Sequence, residues 1–309
     1  MDELFLYLGI YIIVLFVMSW WIGRKETEEG FLIAERNRPW WQVACSKYAI
    51  TIGAAWYVAY TAFAYEYGLN VLTLLIGLVF GYVFFAWWGA PRIKRYSEEG
   101  GGFYTMHEFV KKRTGSTHAE FLANGVVLLY VTMFLFVGVV AGGTLLESYG
   151  YVTYEQAVVL TLLVVTGYVL LAGFKAVILT DVLQGTIMLG LLLAIVYSFV
   201  GQSTYSFAEI AESRPIDALT VAMFGIFGLI ATFAAPDRYQ LSYAGKSKIT
   251  LQWVFAAAAV PVFLSAIALV GIGTVMYLVN PGLEGAEVFP TAMTQVLSPE
   301  FASLAIVMF

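Results

Sequence analysis

One cysteine, Cys45, stands in the whole chain, so no internal disulfide can form and no cysteine metal cluster can be built. Histidine is nearly as scarce: His107 and His118 are the only two, and both are expected in a solvated loop. Charge is thin as well. Asp, Glu, Lys and Arg make up 12% of residues, about half the share of a soluble domain. A Walker loop, a dinucleotide fingerprint, a nucleophile elbow and a metal-protease helix are all missing. Nearly all polar residues fall in short segments, which leaves a catalytic domain nowhere to sit, so an enzyme is not expected. The first apolar run follows Asp2 and Glu3 rather than a basic region, and no small-residue cleavage site succeeds it. A retained helix is expected there, not a signal peptide. The net charge of −5 says little about partners, because a membrane chain sorts its charges by side; a nucleic-acid partner is not expected.

What is present is apolar surface. Hydrophobic residues make up 61% of the chain, in long uncharged runs near the ~20 residues that match the hydrocarbon thickness of a bilayer. Eight runs read as transmembrane spans: Leu4–Gly23, Trp41–Tyr65, Leu69–Ala90, Ala119–Glu147, Thr153–Gly173, Val177–Val200, Ala218–Ala235 and Leu251–Val279. A further run opens at Phe301 and ends at Phe309. It rises about 13.5 Å as a helix, under half of the ~30 Å core, so the sequence is read as stopping inside a helix.

Lys and Arg set the orientation. With the N-terminus outside, the inner segments carry Arg24, Lys25, Arg36, Arg38, Arg92, Lys94, Arg95, Lys111, Lys112, Arg113, Lys175, Arg238, Lys246 and Lys248, while the outer segments carry only Arg214. Seven tryptophans, Trp20, Trp21, Trp40, Trp41, Trp87, Trp88 and Trp253, fall at the inner ends of spans, where amphipathic rings anchor to headgroups. Trp56 alone lies mid-span. Met106–Arg113 reads as a short interfacial helix turning Lys111–Arg113 toward anionic lipid.

Span two holds the main chemical suggestion. Its middle carries Thr51, Gly53, Ala54 and Ala55, small or β-branched residues with weak helix preference at Gly53. An interruption there frees backbone carbonyls, and carbonyls of a broken helix coordinate Na⁺ in secondary transporters. Close helix packing through small residues is the alternative and needs no break. Two ionisable residues lie inside spans, Lys47 in span two and Asp181 in span six, at similar depth and of opposite sign. An isolated charge at such depth costs at least ~2.5–3.5 kcal/mol, so the two are expected to pair or to share a hydrated vestibule; Lys47 snorkelling alone is the alternative.

These residues resemble the sodium/solute symporter family. Phe31-Leu-Ile-Ala-Glu-Arg-Asn-Arg-Pro-Trp-Trp41 is similar to that family's loop before the first core helix. Ala90-Pro-Arg92 and Thr105 to Arg113 resemble its second inner loop. Gly173-Phe-Lys-Ala-Val-Ile-Leu-Thr-Asp-Val-Leu-Gln184 is the most specific match, and Gln240 with Ala244-Gly-Lys-Ser247 resembles the end of its sixth core helix. The resemblance implies an all-α integral membrane protein of the five-plus-five inverted-repeat (LeuT-like) fold, C-terminally truncated. Residues 1–23 become an extra leading helix, 41–200 the first repeat and 218–309 an incomplete second repeat.

The resemblance also carries site residues. It implies a cation site on the backbone of Ala49 and Ile52 with the acid Asp181, completed by hydroxyls of core helix eight that are expected beyond Phe309. It places solute contacts near Thr51, Trp56, Phe224, Gly228 and Thr232. Na⁺ is the expected coupling ion; Lys47 stands where the family is usually apolar, and a fixed cation near the sodium site would weaken or replace sodium dependence, which leaves H⁺ open. The arginine that usually follows the core-helix-six glutamine is Leu241 here, with Arg238 nearby. Sugar-specific polar residues are missing from their usual places, which disfavours a sugar. The expected function is cation-coupled symport of a small organic solute across the cytoplasmic membrane, with lipid as the surroundings and no cofactor. The alternative is a membrane-embedded solute sensor that precedes a signalling domain.

Overall fold

Backbone N–H and C=O groups find no water inside hydrocarbon, so an apolar chain must close them internally, and this one does so with helices. The computed structural model describes residues 2–24, 26–148, 150–202 and 216–308. Lys25 and Arg214, both counted in the charge asymmetry, lie outside the described residues. In chain order the helices are α1 (Asp2–Gly23), α2 (Glu28–Ile33), α3 (Trp40–Thr51), α4 (Ala54–Tyr67), α5 (Leu72–Phe84), α6 (Ala90–Glu99), α7 (Met106–Thr114) and α8 (Thr117–Glu147). There follow α9 (Tyr154–Gln202), α10 (Ala218–Ala234), α11 (Pro236–Ala244), α12 (Lys248–Val279), α13 (Val288–Val296) and α14 (Pro299–Met308).

Six helices are long and apolar enough to cross a bilayer, or seven if α10 and α11 are one bent span. The sequence reading places eight, and two interruptions account for the difference. Span two is split into α3 and α4, so α3 falls short by itself. Residues Ala54–Glu99 then run on as one apolar stretch of 46 residues. At 1.5 Å per residue that is roughly 69 Å, more than twice the hydrocarbon thickness. Gly68, at φ 60° and ψ −146°, turns the chain there, so the stretch is two legs. Gly173, at φ 62° and ψ −159°, does the same inside α9 and separates spans five and six.

Small residues let the helices meet. Gly77 and Gly81 of α5 face the backbone of α10 at Gly225 and Leu229, and Gly228 of α10 faces the Leu74 carbonyl. A methyl at Gly77 would lie 2.0 Å from the Gly225 oxygen, so no side chain fits. Such contacts replace the hydrophobic drive that is missing between helices in lipid. The main core lies among α4, α5, α12 and the second leg of α9. Apolar side chains of α1, α8 and α10 point outward, as lipid requires.

The basic segments gather at one end. Arg36 donates to Glu29 (2.7 Å), to the Ser97 hydroxyl (3.1 Å) and to the Phe103 carbonyl (3.0 Å). Lys94 donates to the Tyr243 carbonyl (3.1 Å), and Lys175 to Glu26 (3.3 Å). These bonds join the segment after α1, the region around α6, α9 at Lys175 and the end of α11 into one cap, which we call the basic end. All seven paired or terminal tryptophans are exposed, as anchors in a lipid interface would be. The short helix expected at Met106–Arg113 forms as α7, opened by Thr105 and closed by Gly115. His107 and His118 sit on α7 and α8 rather than in a loop.

Candidate functional site: two broken helices and the cavity between them

The first break lies between α3 and α4. Ile52 takes φ −110° and ψ 48°, and Gly53 takes φ −83° and ψ 179°. The Ile52 N–H still closes on the Tyr48 carbonyl, and beyond the break the N–H groups of Trp56 and Tyr57 both turn back to the Gly53 carbonyl. Among the described residues, no backbone donor closes onto the carbonyls of Ala49 or Ile52. Buried carbonyls left open in this way demand a partner.

The second break lies between α10 and α11, which meet at 45°. Its cause is local. Pro236 lacks an N–H and pushes Ala235 out of the helical region, to φ −79° and ψ 123°. Two interrupted helices, one in each half of the chain, are the pattern that marks binding sites in transporters built from inverted repeats.

Between the breaks lies a cavity of about 760 Å³, walled by α3, α4, α5, α8, α10 and the start of α11. Its walls are largely apolar, with Leu74, Leu78, Phe134 and Phe227 among them. The polar groups collect toward the basic end. Lys47 Nζ donates to Asp237 Oδ2 at 2.5 Å, and Arg238 Nη1 donates to Asp237 Oδ1 at 2.9 Å. Both cations stand over the Tyr82 ring, at 5.6 Å and 5.4 Å from its centroid. The Tyr82 hydroxyl meets the Thr51 hydroxyl at 2.5 Å.

Asp181 faces another way. The buried Ser46 hydroxyl donates to its carboxylate. Nearby, Gly185 of the same α9 leg packs against the Ala49 methyl and the Tyr48 ring, each 3.3 Å from where a Cβ would stand. The acid therefore lies about one helical turn from the open Ala49 carbonyl.

A direct Lys47–Asp181 pair does not form; Lys47 pairs with Asp237, and Asp181 with Ser46. The two residues do match in depth, but neighbours on a helix are rotated by about 100°, so positions 46 and 47 cannot serve the same partner. Of the sequence-derived solute positions, Thr51, Trp56 and Gly228 line the cavity. Phe224 and Thr232 do not. Phe224 packs on Tyr67 (5.5 Å) and Phe63 (6.3 Å), and Thr232 is buried against Gly81 of α5. Positions 224, 228 and 232 share one stripe of α10 that turns toward α5, whereas Phe227 and Ala231, on the adjacent stripe, face the cavity. Asp237 and Tyr60 were missed altogether. Pro236, placed directly after an apolar run, was the available signal for a second broken helix and hence for the charged pair that follows it.

The sodium:solute symporter family profile matches residues 31–265. The osmoregulated proline transporter OpuE of Bacillus subtilis is 29% identical over 219 residues, covering 69% of this chain and 44% of that protein. A sodium/proline symporter of Staphylococcus aureus (strain USA300 / TCH1516) is 22% identical over 258 residues, 82% of this chain and 50% of its own length. The chain thus spans about half the length of the curated relatives it matches. Among solved structures, a Na⁺-coupled sialic acid symporter in a substrate-bound outward-open state superposes with a TM-score of 0.84 at 17% identity, covering 99% of this chain and 68% of that one. That likeness shows the fold to be the LeuT-like, five-plus-five inverted-repeat arrangement. With a family match over most of its length, this multi-pass membrane chain belongs to the sodium:solute symporter family.

Proposed function

We propose that the chain forms the greater part of the binding region of a Na⁺-coupled symporter for a small organic solute, working by alternating access. One observation carries this reading: the open carbonyl of Ala49 stands about a turn from the buried acid Asp181, and that of Ile52 follows at the break itself, on a helix whose other face walls the cavity. Carbonyl dipoles and a nearby carboxylate suit a monovalent hard cation. The charge of Lys47 is matched by Asp237, so it does not take the place of that ion, and Na⁺ is favoured over H⁺. Proline is named for both relatives and Na⁺ for the Staphylococcus aureus one, and Na⁺ and sialic acid for the structural neighbour; proline and sialic acid are both small organic solutes. Thr51, Trp56 and Gly228 are the solute contacts in this reading.

In the same reading, residues 41–200 form the first repeat, 218–309 belong to the second, and 1–23 are an added helix. The placement of the two breaks, one per half, supports this division. The basic end faces the cytoplasm, which puts the N-terminus outside in the cytoplasmic membrane; labelling of single cysteines introduced at residues 2 and 100 from either side checks it. Transport itself is tested by uptake into proteoliposomes carrying the protein, with Na⁺ and H⁺ gradients imposed separately. Concentrative uptake is expected under the Na⁺ gradient. Uptake that ignores both gradients would remove the reading.

A further inference from the structure

We infer that the cavity takes an apolar monocarboxylate: a compact organic anion with one carboxylate and no ammonium group. The inference rests on the transport reading above and narrows its solute.

Four observations lead to it. The first is a charge count. Lys47, Asp237 and Arg238 all line the cavity, two cations against one acid, which leaves one unit of positive charge unmatched in that cluster. Asp237 has spent one oxygen on each cation. The second is a pair of donors in want of acceptors. Arg238 Nε and the Tyr60 hydroxyl are buried with no hydrogen-bond partner among the described residues, and both residues line the cavity. A guanidinium N–H only donates, so what it lacks is an acceptor. An unpartnered buried polar group in a native site points to an unseen ligand.

The third observation concerns what the walls withhold. Among the described residues that line the cavity, Asp237 is the one acidic side chain, and it is already matched. A zwitterion would carry its ammonium into a site with no free carboxylate, which is strongly unfavourable. The fourth is the poverty of other polar groups. Thr51 is bonded to Tyr82 and the Gln240 amide donates to the Leu32 carbonyl, which leaves Tyr130 as the further hydroxyl on walls that Leu74, Leu78, Phe134 and Phe227 help to make largely apolar, suited to an alkyl or aryl body and not to a polyol. A carboxylate seated beside Arg238 and Tyr60 neutralises the excess charge, takes both orphan donors and leaves its apolar body against those walls.

Isovalerate, its neutral isostere isovaleramide, proline and glucose make a suitable panel of probes. Binding is measured by calorimetry on the purified protein in lipid nanodiscs, with and without Na⁺. Isovalerate should bind at least tenfold more tightly than isovaleramide and more tightly than proline or glucose. Arg238→Gln should lower isovalerate affinity about tenfold and Tyr60→Phe severalfold, with isovaleramide affinity unchanged. Tyr60→Phe removes a hydroxyl with no hydrogen-bond partner among the described residues, so it remains informative if Arg238→Gln folds poorly. Equal affinity for acid and amide, tighter binding of proline, or no isovalerate binding by the folded protein would overturn the assignment. Na⁺-dependent proline binding that Arg238→Gln leaves intact would overturn it while the symport reading stands. The expected pattern without any Na⁺ dependence would uphold the carboxylate site and remove the coupling.

Discussion

Ser46 and Lys47 are adjacent in the chain, yet they look into opposite electrical surroundings. The face of α3 that carries Ser46 meets α9. There it finds an acid, Asp181, and a turn further on an open carbonyl at Ala49. The face that carries Lys47 meets α11 and the cavity, where two cations share one acid and donors outnumber acceptors. In the proposed reading one side receives positive charge and the other negative charge, with the width of one helix between them. Two charges of opposite sign bound across so short a distance favour each other, which is the physical form a coupling free energy between ion and solute would take. The comparison teaches that a broken helix offers two sites and not one, and that rotation about its axis decides which residue serves which.

The largest expected effect comes from unbalancing the cavity face. Asp237→Asn leaves Lys47 and Arg238 buried without their shared counter-charge. Removing one partner of a buried pair costs about 3–5 kcal/mol, because an uncompensated charge is left behind. The protein's unfolding midpoint in detergent should fall accordingly, and adding Lys47→Met should recover part of the loss. If Asp237→Asn were as stable as the parent, the cluster would have to be hydrated and the charge contrast between the two faces would vanish.

Neutralising the opposite face should leave stability alone and strike the ion. Asp181→Asn keeps an acceptor for the Ser46 hydroxyl and deletes only the charge. The Na⁺ concentration for half-saturation should rise about tenfold, equivalent to roughly 1.4 kcal/mol. The unfolding midpoint without Na⁺ should hardly move. Parallel loss of folding yield and Na⁺ response would make Asp181 a structural acid, and the α9 face would then have no role in binding.

A smaller effect is expected where the two faces adjoin. Thr51→Val removes one of two hydroxyls that meet at 2.5 Å and leaves the Tyr82 hydroxyl in want of that partner. The loss should be about 1 kcal/mol, the low end of the range for such a deletion, because the cavity beside Thr51 has room for water. Thr51→Val combined with Tyr82→Phe should cost less than the sum of the single changes. Full additivity in a double-mutant cycle would mean the two hydroxyls do not interact.

How much of this was legible follows the same distinction between depth and rotation. Hydropathy and charge mark where each crossing starts and stops, since burial in lipid acts on every residue of a span alike. So the spans and the basic end could be read directly, whereas the small residues near Gly53 fitted a broken helix and an unbroken, closely packed one alike. Which neighbour a side chain faces depends on how helices pack, and single residues carry little of that information. Lys47 was therefore matched with Asp181 at the right depth and the wrong azimuth. On α10, likewise, Gly228 reaches the cavity while Phe224 and Thr232 turn toward other helices, and Phe227 and Ala231 line it instead. Asp237 escaped notice because its importance arises only when Pro236 bends the chain and sets that acid against Lys47, 190 positions earlier in the sequence.

The smallest expected effect tests what holds the break open. Gly53 drew attention in the sequence as a weak helix former, which suggests that glycine's freedom causes the interruption. The structure argues against that cause. Gly53 adopts φ −83° and ψ 179°, a conformation open to any residue, and an added methyl would meet only the Ala49 carbonyl, at 3.4 Å. The interruption is held instead by what surrounds it: Ser46 tied to Asp181, Lys47 to Asp237, Tyr48 to Ser265 at 3.0 Å, and Ile52 fully buried. Gly53→Ala should therefore change stability by less than about 0.5 kcal/mol and leave Na⁺ binding nearly intact. Helix propensity acting alone would favour a continuous helix in this variant by up to about 1 kcal/mol. Abolition of Na⁺ binding by that one methyl would show that the backbone at Gly53, and not the contrast between the two faces of α3, sets the carbonyls free.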